Sequence, residues 1–438
     1  MSQAPAPPPA DATPPGPAHG LHDRAVEAFK SLGPGLITGA ADDDPSGIAT
    51  YSQAGAQFGT GLLWTVVITY PLMAGFQQTV AEIGRVTGEG LAANMRKVFP
   101  RWLLTLLLIA LMAANTINIA ADVAAMGEAA GLLLPKAGIT AYTIGFGLLC
   151  LVLEVFISYR RYASILKWLT LTLLTYVAII FTVKAPWAEV ARGALVPNVA
   201  LNRDALTMVV AVFGTTISPY LFFWQSSQEV EELDADDSAH ALKTAPAEAP
   251  GQLRRITLDT WIGMAVSNVV AFFIMLTTAL TLHAHGITDI ATSAQAASAL
   301  KPIAGPFAFF LFAMGVIGTG MLAVPVLAGS AAYAVAEARG WRHGLDRKVK
   351  EARGFYAIIA LATLGGLALV FIGLDPIKAL VWAAVVNGFV AVPIMAVTML
   401  VVTRKEIMGE FCAPWWLVIL GWAATGLMAV AAIGMVVI

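Results

Sequence analysis

The chain has 438 residues, 58% of them hydrophobic and only 12% charged, whereas soluble domains carry about a quarter charged residues. That balance excludes an ordinary soluble domain and predicts a membrane protein. The formal net charge of −2 averages over an uneven distribution, because most charges lie between hydrophobic segments.

Residues 1–20 are rich in Pro and Ala and lack the basic start, apolar core and cleavage site of a signal peptide. They read as a disordered cytoplasmic tail, followed at 22–31 by an amphipathic stretch containing Arg24 and Lys30. A spanning helix needs about 20 mainly apolar residues. Such stretches fall near 34–57, 61–83, 102–127, 139–158, 162–184, 205–227, 257–284, 305–336, 355–373, 377–403 and 414–437, which makes eleven. The eighth has room for a break at Pro325. The fold class expected is therefore all-α and polytopic. Cys150 and Cys412 sit in different segments without metal-binding or redox spacing and read as packing residues.

Lys and Arg accumulate in loops that stay in the cytoplasm. With the N-terminus inside, 20 of the 26 fall on the inner side, among them Arg85, Arg96, Lys97, Arg101, Arg160, Arg161, Lys167, Arg254, Arg255, Arg339 and Arg404. Only Lys136, Lys184, Arg192, Arg203, Lys301 and Lys378 fall outside. A missed or invented span would scramble that alternation. The longest polar loop, 229–255, has an acidic half and a Pro/Ala-rich half. It reads as a mobile, solvated charge run or as a cation-gathering or regulatory loop.

Two segments are unusual. The first contains Asp42-Asp43-Asp44-Pro45-Ser46-Gly47, three carboxylates and a proline inside a span. Proline removes a backbone donor and Ser-Gly lets the chain unwind, so carbonyls and a carboxylate become free to face a polar cavity. Carboxylates inside a membrane are functional by default. The sixth segment carries Gly214-Thr215-Thr216-Ile217-Ser218-Pro219-Tyr220, again a small polar residue before an internal proline. Paired breaks in segments one and six are expected when five helices repeat in inverted orientation around a midplane site. Asp44 ranks first as a ligand. Asp42 and Asp43 point elsewhere on a helix, and at least one is expected in the aqueous vestibule as an attractor. Carbonyls around Asp44 and Thr215 would complete a set of hard oxygen ligands suited to Mg²⁺, Mn²⁺ or Ca²⁺.

At these residues the sequence resembles the Nramp family of divalent metal transporters, as a divergent member with altered metal-binding motifs. Asp44-Pro45-Ser46-Gly47 looks like a variant of the family's Asp-Pro-Gly-Asn motif. Similar stretches are Val86-Thr87-Gly88-Glu89-Gly90-Leu91, Ala121-Asp122, and Asp375-Pro376-Ile377-Lys378-Ala379-Leu380 with Asn387. The resemblance implies a LeuT-like five-plus-five inverted repeat, with repeats near 34–184 and 205–403 and an extra helix at 414–437, working by alternating access in the bacterial inner membrane.

By that resemblance the metal site comprises Asp44, Gly47, Thr215 and Ser218. The family's asparagine ligand falls on Gly47 and its Met-Pro-His on Ser218-Pro219-Tyr220, so thioether and imidazole are both absent. A hydroxyl in place of sulfur favours a harder ion, magnesium or manganese. Of the family's acidic proton route Asp122 is retained, while the position three residues on is Ala125 and Glu128 lies one turn beyond. Asp122 is thus a proton relay or a buried acceptor, Tyr220 a proton or gating residue, and Asn387 a route-lining or packing amide. Glu82 and Glu154 are expected to be solvated or paired with Arg85 or Arg160. Competing readings are an amino-acid or other small-organic-solute symporter of the same architecture, which three aspartates would disfavour by repelling a carboxylate, and a non-transporting sensor. No enzyme signature, resident cofactor or nucleic-acid-binding patch is expected; the partners are a divalent metal cation as substrate and the lipid bilayer.

Overall fold

Proline decides where the first membrane segment is interrupted. α1 (Pro34–Asp42) and α2 (Pro45–Phe58) each begin with proline, a position where its missing amide hydrogen would have had no helical partner anyway. Between them Asp43 (φ −82°, ψ 47°) and Asp44 (φ −66°, ψ 168°) leave the helical region. The computed structural model describes residues 33–134, 136, 138–157, 171–198, 202–236, 238–373 and 375–438. Among these there is no strand. The expected N-terminal tail and amphipathic stretch over 1–31, and Arg160, Arg161 and Lys167, lie outside the described residues.

The chain continues through α3 (Leu63–Thr87), α4 (Leu91–Val98), α5 (Arg101–Leu133) and α6 (Ile139–Phe156). A tight helical stretch at Leu171–Ala178 runs into α7 (Ile179–Thr182), followed by α8 (Trp187–Leu195). The second interrupted segment is α9 (Arg203–Thr216) and α10 (Pro219–Asp234). Then come α11 (Ala249–Thr281), the short α12 (Ser293–Ser298) and α13 (Lys301–Ala304), α14 (Ala308–Arg339), α15 (Arg353–Val370), α16 (Pro376–Val402), α17 (Lys405–Met408) and α18 (Trp415–Val437).

Among the described residues, 9 helical stretches are long and apolar enough to cross a membrane. One of them, Pro45–Thr87, holds the second half of the first expected segment together with the whole of the next. The expected segment 162–184 is described only from residue 171. With the first pair counted separately, ten of the eleven expected segments are helical among the described residues, and the fifth is described only over its second half. The anticipated interruption at Pro325 is absent, since α14 runs through that proline.

Contacts between connections define two faces. On one, Leu242 and Lys243 donate backbone hydrogen bonds to Arg85 and Val86, Lys243 Nζ donates to the Glu406 carbonyl, and Leu345 N donates to Glu231. Among the described residues this face carries Arg85, Lys243, Arg255 and Arg347. On the other, Glu128 accepts from Ser293, His283 meets the Ala56 carbonyl, and Gln53 bonds to both Thr288 and Ile290.

The connection over 229–255 is more ordered than a free charge run. α10 extends to Asp234, α11 starts at Ala249, and Arg255 bonds to Glu229 at 2.5 Å and Glu232 at 3.3 Å. These pairs hold the two helices together at the basic face and explain why helix persists beyond the apolar run.

Helices α1 and α11 meet without side chains between them. A Cβ on Gly39 would strike the main chain of Gly263, and one on Gly35 would strike Asp259 and Thr260. Small residues at such a crossing let backbones approach closely, the usual way helices associate inside a bilayer.

Candidate metal-binding site

The two interrupted segments put their loose ends side by side. In the second, Ile217 (φ −111°, ψ 64°) and Ser218 (φ −80°, ψ 128°) are the non-helical residues, and Pro219 restarts the helix. Two helix C-termini and two helix N-termini therefore converge, an arrangement able to hold ions of either sign. Tyr51 of α2 bonds to Thr216 of α9 at 2.8 Å. Ser46 donates to the Leu380 carbonyl of α16 at 3.1 Å.

Asp44 divides its carboxylate between two tasks. Its Oδ1 accepts from the Gly47 amide at 2.6 Å and caps α2. Its Oδ2 accepts from the Asn118 amide of α5 at 3.0 Å and faces the Tyr220 hydroxyl of α10 at 3.4 Å. Gly47 lies at the centre of an oxygen cluster: a Cβ there would be 3.4 Å from the Asp42 carbonyl, from Asp44 Oδ1 and from the Thr215 hydroxyl alike. Ser218 donates its hydroxyl to the Gly214 carbonyl at 3.0 Å and the Thr215 carbonyl at 2.7 Å. Its proton is committed to the helix, and its oxygen lone pairs remain available as acceptors.

The vestibule placement expected for Asp42 and Asp43 is not what the structure shows. They are 1% and 5% exposed, because the end of α1 directs both onto α11. There a single hydroxyl, Ser267, lies 2.7 Å from Asp42 and 3.0 Å from Asp43. One hydroxyl proton cannot serve both, and Asp42 Oδ1 has no partner among the described residues.

Asp122 of α5 is fully buried, and neither of its oxygens has a hydrogen-bond partner among the described residues. The Oδ1 atoms of Asn118 and Asn387 are likewise buried and unpartnered. Among the described residues no Lys, Arg or His lies within ion-pair distance of Asp42, Asp43, Asp44 or Asp122. Equally, no three His, Cys, Asp or Glu side chains there form a ready metal-binding group. A cation held here would rely on one carboxylate with hydroxyl and main-chain oxygens. That donor set suits a hard ion.

Glu82 and Glu154 are buried rather than solvated, and among the described residues neither is paired with an arginine; Arg160 lies outside them. Glu82 is buried and accepts from Gln78 at 2.8 Å; Glu154 is buried with neither oxygen bonded to a described residue. Each sits deeper than expected, inside a helix that continues past it. Glu128 accepts from Ser293 at 2.6 Å on the face opposite the basic loops.

Two residues at the site escaped sequence reasoning. Asn118 is one, although Asn115, Asn118 and Asp122 form a polar stripe at helical spacing on an otherwise apolar α5. Ser267 is the other, and the adjacent polar pair Ser267-Asn268 within α11 was its only signal.

Contacts flank the site on both sides. On the basic side Asp259 of α11 accepts from the Gly35 and Leu36 amides at 2.7 and 3.1 Å, and Thr38 donates to Gln225. On the other side a cavity of about 10 Å³ lies between Pro45, Ile48, Ser52, Ala125 and Leu380, enough for about one water.

A family model described as natural resistance-associated macrophage protein-like, Nramp, matches residues 35–438. The chain belongs to the Nramp family. Among its Nramp relatives, the divalent metal cation transporter MntH of Yersinia enterocolitica is 29% identical over 403 residues, covering 86% of this chain and 88% of that one. MntH of Klebsiella pneumoniae (strain ATCC 700721 / MGH 78578) is 26% identical over 414 residues and covers 91% of each chain. The solved manganese transporter of Eremococcus coleocola superposes with a TM-score of 0.71 at 18% identity, covering 96% of this chain and 87% of that one. A nucleobase-cation-symport-1 family transporter in a closed conformation gives a TM-score of 0.56 at 13% identity. The Nramp chain thus has the LeuT-like inverted-repeat architecture, with the interruptions in its first and sixth segments.

Proposed function

We propose that this chain carries a divalent metal cation across the bacterial inner membrane by alternating access, the ion resting between the two interrupted helices. Its ligands are Asp44, the hydroxyls of Thr215 and Ser218, and main-chain oxygens around Gly47. The observation that carries this reading is the convergence at Gly47 of the Asp42 carbonyl, Asp44 Oδ1 and the Thr215 hydroxyl, each 3.4 Å from the position of a Cβ there. Buried carboxylates without a basic partner need protons or a cation to neutralise them. The MntH relatives are divalent metal cation transporters and the structural neighbour carries manganese, which supports a metal over a small organic solute. A carboxylate-bearing solute would also meet unscreened like charge.

Donor chemistry supports Mg²⁺ or Mn²⁺, with no sulfur or imidazole at the centre. Asp122, Tyr220 and Asn387 are proton or gating residues in this reading. The basic face is cytoplasmic, which puts the start of α1 inside. The repeats run near 34–184 and 205–403, and α18 is additional to them. Transport needs no resident cofactor and no covalent chemistry.

Uptake into liposomes holding the purified protein, with Mg²⁺, Mn²⁺ and Ca²⁺ compared in parallel and internal pH recorded, tests the proposal. Saturable flux of Mg²⁺ or Mn²⁺ is expected. Accompanying acidification would assign Asp122 a proton-carrying role, and no flux of any metal would overturn the reading. Replacing Ser218 with Met puts a thioether where a hydroxyl stands, and preference should then move toward Mn²⁺ or Cd²⁺ by about tenfold, the scale on which ligand changes alter metal affinity. An unchanged selectivity profile would remove Ser218 from the ligand set.

A further inference from the structure

Away from the central site, a cavity of about 620 Å³ opens between α5 and α14 at the basic face. Arg96, Arg101 and Arg339 line its mouth, and its walls are apolar, including Leu108, Ile109, Met112 and Ile358. Among the described residues, no carboxylate lies within ion-pair distance of any of the three arginines. The acids close by are already engaged: Glu89 pairs with Lys97, and Glu337 accepts from Ser227 and the Ala92 amide. Three cations without a countercharge among the described residues thus stand over an apolar slot.

The slot has the dimensions of one bilayer leaflet. From Arg101 to Ala113 a helix rises about 18 Å at 1.5 Å per residue, and half of a 30 Å hydrocarbon core is about 15 Å. Trp102 and Trp341, 68% and 40% exposed, flank the arginines, and exposed tryptophan gathers at the level of the headgroups. Ile109, 62% exposed, lies a little over two turns deeper, at the level of acyl chains. The mouth therefore sits where a phosphate would be and the walls where its chains would run.

We propose that this groove is a binding site for an anionic glycerophospholipid, its phosphate held by Arg96, Arg101 and Arg339 and an acyl chain lying along α5 between α14 and α15. Charge complementarity selects an acidic headgroup over a zwitterionic one, because three cations face it without a countercharge. The apolar wall selects an intact lipid over a soluble phosphate.

Native mass spectrometry of the full chain, titrated with phosphatidylglycerol or with phosphatidylcholine of the same chains, tests this. Wild-type protein should retain phosphatidylglycerol at least tenfold more tightly. The triple variant R96Q/R101Q/R339Q should lose about 100-fold in phosphatidylglycerol affinity, since each basic group near an anionic headgroup is worth about fivefold. Ala113→Trp fills the slot without touching the charges and should also release the lipid, which keeps the test decisive if the triple variant folds poorly. Equal retention of both lipids by the wild type would overturn the proposal. So would unchanged phosphatidylglycerol binding in both variants, full competition by inorganic phosphate, or a wild-type dimer that the triple variant dissolves while its lipid stays bound.

Discussion

Asp44→Ala is expected to reduce saturable metal binding at least about 100-fold, the upper end of what even supporting residues contribute to metal sites. The carboxylate touches α2, α5 and α10 together, through Gly47, Asn118 and Tyr220. Alanine removes both that charge and the cap of α2. Asp44→Asn separates the two effects, because asparagine caps a helix as well as aspartate does: it should fold like the parent and still fail to bind metal. Asp42→Ala should lower apparent affinity only severalfold, for it is the main-chain oxygen of Asp42 that faces Gly47, and alanine keeps that oxygen while losing an attractive charge. Isothermal titration with Mn²⁺ and Mg²⁺ measures all three. Small and equal effects of both alanine variants would dismiss the proposed site.

Gly39→Val should unseat α1 from α11. The added side chain meets the Gly263 carbonyl at a distance no real Cβ adopts, and the obstruction is backbone, so a rotamer change cannot relieve it. Overpacking of this kind costs about 1–3 kcal/mol, or roughly tenfold in a conformational equilibrium for each 1.4 kcal/mol. A cysteine placed at Ala41, which is fully buried, should then react with a membrane-impermeant maleimide applied from the basic face at least about tenfold faster, with Cys150 and Cys412 replaced beforehand. Saturable uptake should fall in parallel, because a carrier that cannot close one side leaks or stalls. Unaltered labelling and uptake would show that the glycine contact is packing without a gating role.

Much of the architecture is legible in the sequence because it rests on local chemistry. Prolines at positions 45 and 219, each after a small or acidic residue, mark the interruptions, and apolar run length marks the spans. What escapes is set by partners far apart in sequence. Nothing near Asp42 and Asp43 announces Ser267, more than 220 residues away, so two carboxylates, at least one of them expected in water, are both buried against α11. Glu229 reads as loop because its neighbours are acidic, yet Arg255 keeps it helical. Glu82 and Glu154 read as solvated ends, but α3 continues further than its apolar run suggests and both side chains are buried against neighbouring helices. Asn118 is within reach of sequence reasoning, since its spacing from Asn115 and Asp122 follows one helix face.

The way Asp259 holds the Gly35 and Leu36 amides has a thermodynamic implication. α1 is only 9 residues long, two of them glycine, and Gly33 ahead of it offers no side chain to satisfy its first amides. So short and glycine-rich a helix is not stable by itself; its order is borrowed from α11. Separation of the two would therefore melt the first turn as well as move it, and the chain entropy released would offset part of the packing and hydrogen-bond energy given up. The barrier on the basic face then resembles a clasp that loosens by partial unfolding, and its resistance to opening should weaken on warming more steeply than that of a rigid lever.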